Sequence, residues 1–192
     1  MEEKDLNMPA PSPLSRRRFI GLGAAALAVP LLSRLPSFAS PELPFLDRRL
    51  SFFNTHTQES LSTEYCRAGC LIDPSLEKID YILRDDRVGE VKKIDVRLLD
   101  LLHTLSQKIA VDEPYHVISG YRSPQTNAYL RERGRGVAEH SLHLLGQAID
   151  IRVPGVKLLD LYRRAVSLRG GGVGIYPASD FVHVDVGRVR TW

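Results

Sequence analysis

Ser141-Leu142-His143-Leu144-Leu145-Gly146-Gln147-Ala148-Ile149-Asp150, followed by Asp180-Phe181-Val182-His183-Val184-Asp185, is the part of the chain from which both fold and chemistry can be read. Two histidines and a carboxylate in this arrangement have the make-up of a three-ligand zinc site, which leaves a fourth position open for water. His143 and Asp150 lie seven apart with Gly146 and Ala148 between them, a spacing that predicts a loop closing onto a strand with little bulk beside a metal. The third ligand, His183, then comes from a separate strand. No H-E-x-x-H pattern occurs, so the helical zinc-protease design is excluded. Such a metal set points to a hydrolase.

Outward from this stretch, Ala148 to Val153 alternates as a strand, and Val156 to Leu168 has helical spacing that Gly170-Gly171-Gly172 ends. Val173 to Tyr176 and Phe181 to Val186 read as the last two strands, joined by a turn at Pro177 to Asp180. Upstream, Leu50 to Thr57 and Gln58 to Tyr65 read as an edge hairpin. Asp73-Pro74 opens a helix with Asp73 as N-cap, and Leu76, Ile79 and Leu83 keep its apolar spacing. A second helix begins at Asp95 and carries the stripe Val96, Leu99, Leu102, Leu105 and Ile109. His116 to Ser119 is strand-like and breaks at Gly120, delivering Tyr121 and Arg122 onto a loop, after which Ser123-Pro124 caps a third helix running to Gly134. This order predicts a single α+β domain with a mostly antiparallel sheet flanked by helices, the metal ligands together on one sheet face.

The N-terminus reads as an address. Ser15-Arg16-Arg17-Arg18-Phe19-Ile20-Gly21 resembles a twin-arginine export signal, leads into the apolar run Leu22 to Leu32, and is followed by Ser37-Phe38-Ala39 as a cleavage site. That run is about half the roughly 20 residues needed to span a bilayer, so no stable membrane span is expected after cleavage. Residues 1 to 39 are thus read as signal, 40 to 47 as a proline-bearing linker and 48 to 192 as the folded domain, placed in the periplasm or outside the cell. The 192 residues are 43% hydrophobic and 26% charged, an ordinary globular balance. Without residues 1 to 39, which hold five Lys or Arg and three Asp or Glu, the totals of 26 and 23 fall to 21 and 20. A net charge near zero gives no general attraction to nucleic acid. Cys66 and Cys70 are the only cysteines; four residues apart, they allow either a short-loop disulfide or two thiols.

The S-x-H-x-x-G-x-A-x-D run at Ser141 to Asp150, the Ser119-Gly120-Tyr121-Arg122-Ser123 loop and the Phe181-Val182-His183-Val184-Asp185 strand resemble the D-Ala-D-Ala carboxypeptidase and murein endopeptidase zinc peptidases. Gly171-Gly172-Val173-Gly174-Ile175-Tyr176-Pro177, the ending Gly187-Arg188-Val189-Arg190-Thr191-Trp192 and the export signal resemble the murein endopeptidase K branch. The resemblance implies a hedgehog/DD-peptidase fold, zinc held by His143, Asp150 and His183, and hydrolysis of peptidoglycan stem peptides by a metal-activated water. It also implies Arg122 as the group that stabilises the oxyanion, with a structural ion pair as the alternative. Asp180, three before His183, stands where related peptidases place a catalytic glutamate. Strict alternation puts it on the face away from His183, so the role requires a turn before Phe181. Asp185 is the rival base, or a carboxylate that orients a ligand histidine. Trimming of stems by a D,D- or L,D-carboxypeptidase, and a non-catalytic zinc-containing wall-binding module, are the other functions compatible with these motifs. His140 reads as a polar loop residue near the cleft.

Overall fold

A computed structural model describes residues 47–133 and 137–192. The signal and linker expectations, and the expected end of the third helix at Gly134, fall outside them. The described residues form one α+β unit built on an eight-stranded sheet with four α-helices. Strands β1 (Arg48–Asn54) and β2 (Ser60–Arg67) pair antiparallel, with the short β3 (Cys70–Leu71) outside β2. Helices α1 (Asp73–Ile82) and α2 (Val96–Ile109) precede β4 (Tyr115–Ser119), and α3 (Pro124–Glu132) follows it. The chain closes with β5 (Ala148–Arg152), α4 (Leu158–Leu168), β6 (Gly172–Tyr176), β7 (Phe181–Asp185) and β8 (Arg190–Thr191). The sheet order is β3-β2-β1-β4-β5-β7-β6-β8, antiparallel except for the β1/β4 and β6/β8 pairs.

Two expectations need correction, and the open choice at the cysteines is decided. The first hairpin is not at the edge: β1 also pairs with β4 in parallel, and β3 covers β2. Asp73 lies inside α1, whose N-cap is Ile72, because the proline at the helix start sets the first turn without a side-chain cap. Cys66 and Cys70 are not disulfide-bonded. Cys66 opposes Leu71 and Cys70 opposes Arg67, so alternation sends the two sulfurs to opposite faces of the hairpin. Cys66 is buried, with Arg48 Nη2 at 3.2 Å from its sulfur.

The α2 stripe holds at Leu99, Leu102, Leu105 and Ile109, while Val96 is only half-buried and Leu98 joins the core in its place. Asp95 caps the helix by accepting from Arg97 N at 3.0 Å, and Leu98, Leu99, Leu102, Leu105 and Ile109 are buried. Each such side chain contributes roughly 1.5–3 kcal/mol through apolar burial. They share one core with Phe52, Val117, Ile149, Ile151, Leu161, Val182 and Val184. Since Ile149 and Ile151 point into this core, alternation turns Asp150 to the other face of β5; Val182 and Val184 likewise turn His183 and Asp185 to the other face of β7. The register sets Asp150 directly opposite His183 and Ala148 opposite Asp185. The helix-packed face of the sheet thereby positions the charged one.

Candidate metal centre

The third donor reaches this face from a short 3-10 turn, Leu142–Leu145, between α3 and β5. Ser141 caps the turn, Gly146 ends it in the left-handed conformation, and His143 is held beneath it at 2% exposure. A register shift in the β4/β5 pairing sets Ser119 opposite Asp150, and the loop after Ser119 folds across the turn. Tyr121 N donates to Leu83 O at 2.7 Å and Arg122 N donates to His143 O at 3.2 Å.

Three atoms converge: His143 Nε2, Asp150 Oδ1 and His183 Nδ1. The separations are 3.3 Å between the two nitrogens, 3.3 Å from His143 Nε2 to Asp150 Oδ1, and 2.8 Å from His183 Nδ1 to Asp150 Oδ1. Ligands about 2.0–2.1 Å from a tetrahedral zinc would stand roughly 3.3 Å apart, so the set fits a metal of that size with little adjustment. The hydrogen bonds behind the rings agree. His143 Nδ1 lies 2.7 Å from Gly120 O, which only accepts, so Nδ1 carries the proton and Nε2 presents its lone pair. His183 Nε2 lies 3.0 Å from Asp185 Oδ2, which turns the Nδ1 lone pair inward. Three such atoms facing one another hold positive charge between them, a metal ion or else a proton on His183 Nδ1 facing Asp150 Oδ1 at 2.8 Å. Burial opposes charge on His183, yet the bonds to Asp150 and Asp185 outweigh it and push its pKa up to about 9. Burial likewise opposes the Asp150 carboxylate, and the two histidines overcome that to hold it below the usual carboxylate range.

Asp185 is fully enclosed and saturated. Besides His183, it accepts from Gly172 N at 3.0 Å, Gly187 N at 2.8 Å and Arg190 Nη2 at 2.7 Å. Gly172 is required for this packing, since a Cβ there would sit 2.5 Å from Asp185 Oδ2. A carboxylate so occupied, and held well below its ordinary pKa despite burial, has no lone pair left to take a proton from water. Its geometry is that of an orienting group for His183.

Asp180 is placed differently. The turn at Pro177–Ser179 ends with Asp180 in the left-handed conformation, φ 52°, which breaks strand alternation just before Phe181. Its carboxylate is exposed and meets Arg152 Nη1 at 3.3 Å. Arg152 and Asp180 line a neighbouring pocket with His116 and Leu158, outside the cleft over the donors, and Asp180 makes no contact with the three donors. Arg122 is 8% exposed and lines the cleft; its Nη2 lies 3.3 Å from Ser119 Oγ and 3.7 Å from Asp150 Oδ2. Burial pulls its pKa down, partly countered by Asp150 and Asp85, and an arginine remains charged under such a shift.

A cleft of about 300 Å³ opens over the donors, bounded by Arg122, Val137, His140, Tyr176, Phe181, Arg190 and Trp192. His140 lines it without touching the donor set. Arg190, Tyr176 and Trp192 had no individual role in the sequence reading. The signal available was small: a tryptophan and an arginine two apart, with glycines in the strand beside them.

Residues 45–192 match the Peptidase_M15_2 family model, described as peptidoglycan L,D-endopeptidase MepK. The chain belongs to this family. It is 41% identical over 178 residues to peptidoglycan L,D-endopeptidase MepK of Escherichia coli K12, covering 93% of this chain and 97% of that protein. It is also 41% identical over 181 residues to the probable peptidoglycan L,D-endopeptidase MepK of Haemophilus influenzae Rd, covering 93% and 95%. As a MepK-family member the chain is a metallopeptidase of the M15 type, and the three-donor cluster lies within the matched span.

Proposed function

We infer that this chain is a peptidoglycan endopeptidase that hydrolyses peptide cross-links at a metal centre formed by His143, Asp150 and His183. The observation that carries the reading is the convergence of the buried His143 and Asp150 with the half-buried His183, the far nitrogens of both rings bonded to Gly120 O and Asp185, in a chain of the MepK family. We propose zinc as the metal, on the two-imidazole, one-carboxylate donor set and its tetrahedral spacing. When bound, zinc polarises the scissile carbonyl and brings the pKa of water to about 7.

The protein's own groups supply the rest. Gly120 O and Asp185 fix the tautomers of His143 and His183, so both rings hold their donors in place without rearranging. Arg122, charged and buried beside Asp150, directs its guanidinium toward the side of the cleft where oxyanion charge develops. Asp180 is the general base: its exposed carboxylate keeps free acceptor sites next to Phe181, which lines the cleft, whereas Asp185 has none. Arg152 Nη1 stands 3.3 Å from the Asp180 carboxylate and orients it.

Four finer readings complete the proposal. The overall fold is of the hedgehog/DD-peptidase kind. Residues 1–39 form a twin-arginine signal, 40–47 a linker and 48–192 the peptidase domain, which is exported to the periplasm. Support comes from the arginine motif and from a family match that begins at residue 45. Among the described residues no helix is long and apolar enough to cross a membrane. The test is digestion of intact peptidoglycan by the full chain, with products resolved by chromatography and mass. Loss of cross-linked dimers with matching gain of monomers is expected. Shortened stems with dimers untouched would instead identify a carboxypeptidase, and an unchanged profile with metal bound would identify a binding module.

A further inference from the structure

Beside the metal ligands the chain builds an aromatic wall that the chemistry above leaves unused. Trp192 follows β8, whose parallel pairing with β6 continues as Trp192 N donating to Val173 O at 3.2 Å and Ile175 N donating to Trp192 O at 3.1 Å. Its indole lies over Gly174, where a Cβ would come within 2.4 Å of the ring, so this strand position must lack a side chain for the tryptophan to pack. Indole Nε1 donates to Tyr176 Oη at 2.7 Å, Tyr176 stacks on Phe181 at 4.6 Å, and the indole centroid stands 5.3 Å from that of His183. Arg190, which also grips Asp185, places its guanidinium carbon 4.9 Å from the Trp192 ring centre.

The one polar side-chain atom of Trp192 is spent on Tyr176, whose hydroxyl keeps its own proton to donate, and 45% of Trp192 and 37% of Tyr176 remain exposed, both lining the cleft. An apolar aromatic surface held this rigidly, one ring away from a metal ligand, gains most by covering apolar substrate. Its distance from His183 restricts the occupant. A group reaching this wall while a peptide bond lies at the metal must belong to a residue adjoining that bond, which favours a stem-peptide side chain over the glycan strand.

We propose that Trp192, with Tyr176, is a specificity-determining residue that receives the methylene-rich side chain of the residue flanking the scissile bond. The inference rests on the endopeptidase reading of the site. Trp192 is the only tryptophan in the chain, so its fluorescence reports directly on this wall.

The experiment has two arms. In the first, the metal-loaded full chain carrying Asp180→Asn, which slows turnover, is titrated with cross-linked dimer muropeptide, uncross-linked stem peptide and peptide-free glycan disaccharide. A saturable change in tryptophan emission with either peptide ligand and none with the disaccharide is expected. A silent signal with both peptides, or an equal response to the disaccharide, overturns the proposal. In the second, Trp192→Ala and Trp192→Phe are assayed on cross-linked dimer. Trp192→Ala is expected to raise KM by about tenfold with kcat within about twofold and metal content unchanged, Trp192→Phe recovering most of the loss. Unaltered KM in a folded Trp192→Ala, or loss of kcat and metal together in both variants, would make the residue structural and overturn the proposal. If wild type cleaves nothing while stem peptide still shifts the emission, the endopeptidase reading fails and the wall stands as a peptide-binding surface.

Discussion

The two halves of the sheet use one scaffold in opposite ways. Around β1, β2 and β4, stability comes from apolar side chains such as Phe52, Leu102 and Val117 packed with α2. Around β5, β7 and β6, the same core covers one face, while the other holds His143, Asp150, His183 and Asp185 in a tight net of charge. In the first half apolar burial dominates, with ion pairs such as Arg84–Glu59 at its margin. In the second, buried charges are tolerated because each is paired, and one of the pairs converges on a spot suited to a cation. Packing and chemistry are therefore separable by mutation.

The largest effect is expected where the donor net is opened. Asp150→Ala should lose both bound metal and hydrolysis to background, as measured by metal analysis and muropeptide release on the same sample. Asp180→Asn should separate the two readouts, lowering kcat by roughly 10²–10⁴-fold with metal content intact; retained activity would remove Asp180 from the mechanism. On the packing side, Leu102→Ala should cost about 2–5 kcal/mol in denaturant unfolding, with metal affinity of the folded protein unchanged. Asp185→Asn inverts that pattern. Metal affinity should fall roughly 10–100-fold, because His183 loses the partner that fixes its tautomer.

The smallest effect concerns Asp85, which ties the turn after α1 to the start of α3 by accepting from Ser123 N at 2.7 Å and Arg87 N at 2.9 Å. Burial would raise its pKa, but these bonds outweigh burial and lower it. A lowered folded pKa means that its contribution is present above the ordinary carboxylate value of about 3.9 and is lost as pH falls through the folded value. The stability gap between wild type and Asp85→Asn should accordingly shrink on acidification below about pH 4. A gap that holds constant would mean that the charge of Asp85 contributes nothing.

Legibility in the sequence followed the same division. The α2 stripe and the alternation of β5 and β7 announce themselves, because periodic burial leaves a periodic pattern. His143, Asp150 and His183 were readable as a set from residue type and motif. What was not readable depends on contacts across the chain. The two-residue strands β3 and β8 carry no period, and the parallel β1/β4 pairing that moves the hairpin inward has no local signal. Asp180 and Asp185 could not be told apart by spacing. Asp185 is set aside as a base only by the amides of Gly172 and Gly187 and by Arg190, all of which close on it in three dimensions. A left-handed residue at Asp180, which defeats the alternation rule, is equally invisible before the turn is seen.

The central claim is that His143, Asp150 and His183 hold the metal that performs the hydrolysis. It is tested most directly by stripping the full chain with a chelator, returning zinc in measured steps, and following bound zinc and release of monomers from cross-linked peptidoglycan together. The account predicts no release from the stripped chain and a rise in proportion to bound zinc, levelling at one equivalent. Release from the metal-free chain, or a full equivalent of zinc bound with dimers left intact, would contradict it.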